Sequence, residues 1–315
     1  MQEHAEATEY SADPQIQATD VLVGVPSRQV HSGTTIAPQG AGTTCGCGEA
    51  SSGNSNGAAV VSYVYAVGRV EARFPSLAAE KEFAQATART ETAGKTDQQT
   101  LHAVLSKREN RYLARQLCWV LTIQGLETYL LVPRDPVDID LLVDAIRPAY
   151  SPGDVDAVIG QRGPIAPPEM CNGLMVPIVA FDQIYSFDRE ALVKSIPRPD
   201  KTPAARFAET AKELFERIIQ LTDNAGATDE HRALNYLAMR YPSIYVKTAE
   251  KNGDTCSLTA VDVRPSRLST TRNIVDVIFS YTHRQTDVTD KHFVRVDVSE
   301  KFPFLVTKMA PYFDR

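Results

Sequence analysis

Five cysteines are the residues of this chain whose chemistry is least easily put down to packing: Cys45, Cys47, Cys118, Cys171 and Cys256. Cys45 and Cys47 stand one residue apart in "TTCGCGEASSGNSNG", where the glycine between them lets two thiolates turn toward one ion. Structural zinc takes four ligands in a tetrahedron, commonly cysteine thiolates. Two more would then come from the folded body: Cys118 in "RQLCWVL" and Cys171 in "PPEMCNGLMVP", with Cys256 in "EKNGDTCSL" as the spare. The expectation is a structural zinc ion held by Cys45, Cys47, Cys118 and Cys171, so that part of its binding free energy becomes folding free energy. For Cys171 two other readings stay open, a buried apolar thiol and a nucleophile. A nucleophile needs a base. His102, His231, His283 and His292 are present, but none sits in a recognisable cysteine-hydrolase context.

Other sites leave no trace. There is no G-x-x-x-x-G-K-[ST] or G-x-G-x-x-G to cradle phosphate, and no G-x-S-x-G elbow. "EHRALNY" (230–236) has only one histidine of the H-E-x-x-H pair. Asp138, Asp140 and Asp144 follow a helix start and read as solvated charge in a favourable dipole. Trp119, the lone tryptophan, reads as core. No catalytic set is assigned.

The elements that must position these residues come next. The chain has 315 residues, 43% apolar, with 33 basic and 39 acidic residues, a net charge of −6. That is enough apolar material for a sizeable core. No basic block argues for nucleic acid, and no run nears the roughly 18 apolar residues of a membrane span. "MQEHAEATEYSADPQ" lacks a signal-peptide pattern, so a cytoplasmic location is expected. In a reducing compartment clustered cysteines more often bind metal or do chemistry than form disulfides.

Residues 1–57 are rich in Ser, Thr, Gly, Ala and Gln and read as a flexible tail carrying the Cys-Gly-Cys segment. Residues 58–315 read as the folded body, with "PRPDKTP" (197–203) as a boundary between two subdomains. "VSYVYAVGRVEARF" alternates as a strand. Ser76 caps a helix over 76–89, and Thr96 with Gln99 fits a capping box. Residues 115–133 read as two strands about Gln124-Gly125, and 135–146 as a helix opened by Asp-Pro. Further strands are expected at 155–160 and 174–187. Phe207, Ala211, Leu214, Phe215 and Ile218 line one face of a helix over 204–222, followed by a helix at 229–240. "SIYVKTA", "SLTAVDVR" and "NIVDVIFSYTHR" read as β-rich, and "KHFVRVDVSEKFPFLVTKMAPYFDR" closes the chain. The fold class is α+β, a largely antiparallel sheet with packed helices.

Several stretches are distinctive together: "YVYAVGRVEARFPSLAAEKEFAQ", "ENRYLARQLCWVLTIQGLETYLLVPRDP", "GPIAPPEMCNGLMVPIVAFDQIYSF" and "FVRVDVSEKFPFLVTKMAPYFDR". Over about residues 58–315 the chain resembles the C-terminal domain of unknown function of cyanobactin maturation proteases, the PatA and PatG type. The subtilisin-like domain of those proteins has no counterpart here, so proteolysis is not implied. Similar freestanding proteins occur in other ribosomal peptide pathways, among them the crocagin type, in which a Tyr-Trp core becomes a pyrroloindoline. The resemblance implies a peptide-binding accessory protein that holds a precursor peptide for tailoring enzymes. Arg162 and Asn172, read as loop residues with spare hydrogen-bonding capacity, are the expected peptide contacts. The alternatives are a peptide-modifying enzyme, a cyclase or cysteine hydrolase using Cys171, and an oligomerisation module acting as a homodimer.

Overall fold

The computed structural model describes residues 61–91, 93–148, 153–199, 202–221 and 223–313. The expected tail, with its Cys-Gly-Cys segment, lies outside the described residues. The described ones fall in one compact unit, in two halves, residues 61–199 and 202–313.

The first half is a barrel. Its strands are β1 (Ser62–Arg73), β2 (Cys118–Ile123), β3 (Leu126–Pro133), β4 (Asp154–Ile165) and β5 (Pro177–Asp188). They close in the order β1-β2-β3-β5-β4, antiparallel except for β3 beside β5. This resembles the five-stranded Greek-key barrel of OB-folds, a likeness of architecture that carries no function. The β2–β3 hairpin turns at Gln124 and Gly125, with φ of 51° and 81°. Both positive values are what a tight turn between right-twisted strands requires. Val64, Ala66, Trp119, Leu121, Tyr129, Val158 and Phe181 fill the interior. Trp119 donates its indole N–H to the Ala114 carbonyl at 2.8 Å, so its polar edge is satisfied within the core.

Helices cover the barrel. Between β1 and β2 come α1 (Leu77–Ala88), α2 (Asp97–Leu105) and α3 (Arg111–Gln116); α4 (Ile139–Ala145) links β3 to β4. Ser76 accepts from the Ala79 N–H, and Thr96 with Gln99 forms the full capping box. Leu105, Leu113 and Leu142 enter the barrel core from these helices. The short α5 (Arg189–Ser195) follows β5.

The second half layers α6 (Ala204–Ile219), α7 (Asp229–Arg240) and α8 (Ser243–Gly253) on a four-stranded antiparallel sheet. Its strands are β6 (Cys256–Pro265), β7 (Ile274–His283), β8 (Thr289–Asp297) and β9 (Phe304–Pro311), in that order. The five apolar positions read as one face of α6 are all buried. On β7, Val275, Val277, Phe279 and Tyr281 are buried, and Tyr281 meets the Thr248 hydroxyl of α8 at 2.9 Å. The helices therefore cover that face of the sheet, and the opposite, more open face carries exposed Asp262 and Arg264 and half-buried Asp276, Phe293 and Arg295 around buried Ile278 and Ser280.

The halves meet through buried amides. The Tyr65 N–H of β1 donates to Gly226 O at 2.9 Å, and Asn235 of α7 donates to Tyr65 O at 2.8 Å. Asn224 in turn donates to Asn235 at 2.8 Å. These bonds satisfy the outward backbone of β1 where β2 does not reach it.

One expectation is corrected. "SIYVKTA" is not β-rich; it opens α8. Its Ile, Tyr and Val favour strand, but Ile244, Tyr245, Thr248 and Ala249 form a buried helical stripe. Tertiary burial outweighs local propensity there. The α+β class and the antiparallel character hold.

Candidate functional site

The loop from Ala166 to Val176 is the β4–β5 hairpin tip, pinned by Ala166 N–H donating to Val176 O at 2.8 Å. Asn172 and Gly173 take φ of 45° and 88°. Cys171 is joined to Cys118, at the start of β2, by a disulfide with its Cα atoms 5.7 Å apart. Both cysteines are buried beside Val120, Leu130 and Ala166. A disulfide sulfur is neither a thiolate ligand nor a nucleophile. A zinc or catalytic role for this pair therefore belongs to the reduced protein. Cys45 and Cys47 lie outside the described residues. Cys256 is free and buried. Among the described residues no group of three His, Cys, Asp or Glu side chains is placed to hold a metal.

Asn172 borders a cleft of about 330 Å³ with Arg73, Phe74, Glu127, Gly173 and Leu174. Arg73 and Glu127 form an ion pair on its wall. Arg162 does not join Asn172 there. It is not a loop residue but part of β4, opposite Ser62 and Val179. Exposed, it has no hydrogen-bond or ion-pair partner among the described residues. Burial raises the Tyr129 pKa, and the nearby Arg162 charge partly opposes that rise.

A larger site lies on the open face of the sheet. Asp276 of β7 stands opposite Arg295 of β8. Arg295 donates to both carboxylate oxygens, at 2.6 and 3.1 Å, the two-pronged geometry that fixes a guanidinium plane. The bond to Asp276 raises the Arg295 pKa further, ahead of the opposing effect of burial. Its guanidinium lies 5.2 Å from the centroid of Phe293, two residues earlier on the same face. Phe293 meets Tyr312 edge-to-face at 5.7 Å. With Arg264, Arg267 and Phe313 these side chains bound a groove of about 520 Å³. Arg264 and Arg267 are exposed and have no ion-pair partner among the described residues. Phe313 is 79% exposed. Aromatic walls beside fixed and free guanidinium groups suit an extended chain with aromatic side chains, carbonyls and carboxylates.

All of this groove but Phe313 falls inside the part of the chain with a family match. Residues 201–312 match the family model described as PatG C-terminal. A solved structure described as "PatG Domain of Unknown Function" superposes with a TM-score of 0.64 at 19% identity, covering 80% of this chain and 98% of that one. The fold is that of the PatG domain. No curated protein matches the chain. Among the described residues no helix is long and apolar enough to cross a membrane.

This groove was not legible in the sequence. Its signal was the charge inside two apolar alternations, Asp276 in "NIVDVIFSYTHR" and Arg295 in "KHFVRVDV". Only the β7–β8 register makes them partners.

Proposed function

We propose that this protein is a peptide-binding accessory protein of ribosomally synthesised, post-translationally modified peptide biosynthesis. It holds a precursor peptide, through leader or core, for tailoring enzymes. The observation that carries this reading is the open sheet face, where Arg295, locked to Asp276, stands beside Phe293 and Tyr312. Such a surface grips aromatic side chains edge-on and main-chain carbonyls through guanidinium donors. The resemblance of the chain to the C-terminal domain of cyanobactin maturation proteases supports the reading. A Tyr-Trp core of the crocagin type has the aromatic content these walls accept. The Asn172 cleft and exposed Arg162 are secondary contacts for the rest of an extended peptide.

Calorimetric titration of the precursor peptide encoded beside this gene tests the proposal. Wild-type protein binds it and leaves its mass unchanged, and Phe293→Ala weakens binding about tenfold or more. Equal binding by wild type and Phe293→Ala moves the site elsewhere. A mass change produced by this protein alone replaces the proposal with an enzyme.

A further inference from the structure

The four-stranded sheet has two edges, and they differ. On β9 the outward backbone is occupied. Met309 N–H donates to the Tyr241 hydroxyl at 3.0 Å. On β6 the ladder fixes which groups face out. Ser266 N–H donates to Ile274 O at 2.8 Å, and the register runs without a shift from Ala260↔Ser280 to Pro265↔Val275. In an antiparallel ladder bonded positions alternate. Ala260, Asp262 and Arg264 therefore bond β7, while Val261, Val263 and Pro265 turn their backbone outward. Pro265 has no N–H to offer. No hydrogen bond joins the outward groups of Val261 and Val263 to any described residue. One end of this edge is closed by Arg217 of α6, which donates to Leu258 O at 2.6 Å and Thr259 O at 2.8 Å.

The side chains of this short edge complement themselves. Val261 and Val263 are half-buried on the helix side, and Asp262 and Arg264 are exposed on the open face. Consider a second copy laid antiparallel with Val263 opposite Val263. Its outward N–H and C=O then meet their own counterparts, and Val261 N–H meets Pro265 C=O in both directions. Asp262 falls opposite Arg264 at the two flanking positions, where side chains stand closest because no hydrogen bonds join the pair. Centring on Asp262 instead opposes two like charges.

We infer that two copies of this chain pair antiparallel along β6 about Val263, making one sheet of eight strands, four from each copy. Charge selects the register, and the main-chain bonds and valines hold it. The pairing puts two open grooves on one face of one sheet. It goes beyond peptide binding and does not depend on it.

Light scattering and sedimentation across micromolar concentrations test this on the full chain. Val263→Pro removes an N–H that bonds nothing within the monomer, so it should dissociate the dimer and leave thermal unfolding of the monomer in place. Asp262→Arg should weaken the dimer about tenfold or more, and adding Arg264→Asp to it should restore assembly, because the crossed pairs re-form with signs exchanged. A wild-type monomer at every concentration overturns the inference. So does a dimer indifferent to both single substitutions, a charge exchange that fails to restore assembly, or a monomer whose β6 edge is protected from hydrogen exchange only by added peptide.

Discussion

Reducing the Cys118–Cys171 disulfide should cost the barrel a large part of its stability. The bridge spans 53 residues of sequence and ties the β4–β5 tip to the start of β2. Closing a loop of that length in the unfolded chain corresponds to about 4 kcal/mol by chain entropy. Reduction with a chelator present leaves two thiols in an apolar pocket formed by Val120, Leu130 and Ala166, where a thiol packs as a small hydrophobe. Little offsets the entropic loss, so a drop of about 2–4 kcal/mol is expected, or roughly 10 °C in melting temperature for a body of this size. Trp119 adjoins Cys118 and is buried in the barrel core, so its fluorescence reports this unfolding directly. Guanidinium titrations of oxidised and reduced protein should show separated midpoints, and a Cys118→Ala, Cys171→Ala double variant should follow the reduced curve in both buffers. Coincident midpoints for oxidised and reduced wild type, or Cys118 and Cys171 found alkylated in the oxidised protein, would refute the reasoning.

Three further outcomes are expected. Gly226→Ala should destabilise by about 3 kcal/mol or more in urea titration, because φ there is +71° and a Cβ would stand 2.3 Å from Tyr65 O. Burial lowers the pKa of His231 and of His292, the latter with Lys247 and Lys251 adding to it and Asp290 and Glu250 opposing. Since the unfolded chain then binds the protons more tightly, stability should fall as pH drops through about 6.5, and glutamine at both positions should flatten that fall in pH-dependent melting curves. Reduced, chelator-free protein supplied with zinc should load about one ion per chain by elemental mass spectrometry, and Cys45→Ser or Cys171→Ser should abolish it. Metal-free reduced protein would contradict the four-thiolate set.

The local elements were legible because their signals are local. The cap at Ser76, the box at Thr96 and Gln99, and the stripe from Phe207 to Ile218 each lie within a few turns of chain. The barrel was not, since its closure depends on β3 lying parallel to β5 across about fifty residues. Arg162 lies just past the strand expected at 155–160; β4 runs on to Ile165 and absorbs Gly163 and Pro164 in a register shift between Arg162 and Ile165. The Phe293–Arg295–Asp276 group escaped for the same reason as the barrel. A strand pattern shows which residues share a face of one strand, and the neighbour across the ladder is set by register.

The open face of the β6–β9 sheet is the proposed grip for peptide. Titration of the precursor peptide into Arg295→Met protein, set against wild type, measures this most directly, since the change removes the guanidinium beside Phe293 and keeps the side chain's bulk. Binding by wild type with a loss of about tenfold or more in the variant, and no change in peptide mass in either, is the predicted result. Undiminished affinity in the variant, or no affinity in wild type, would contradict it.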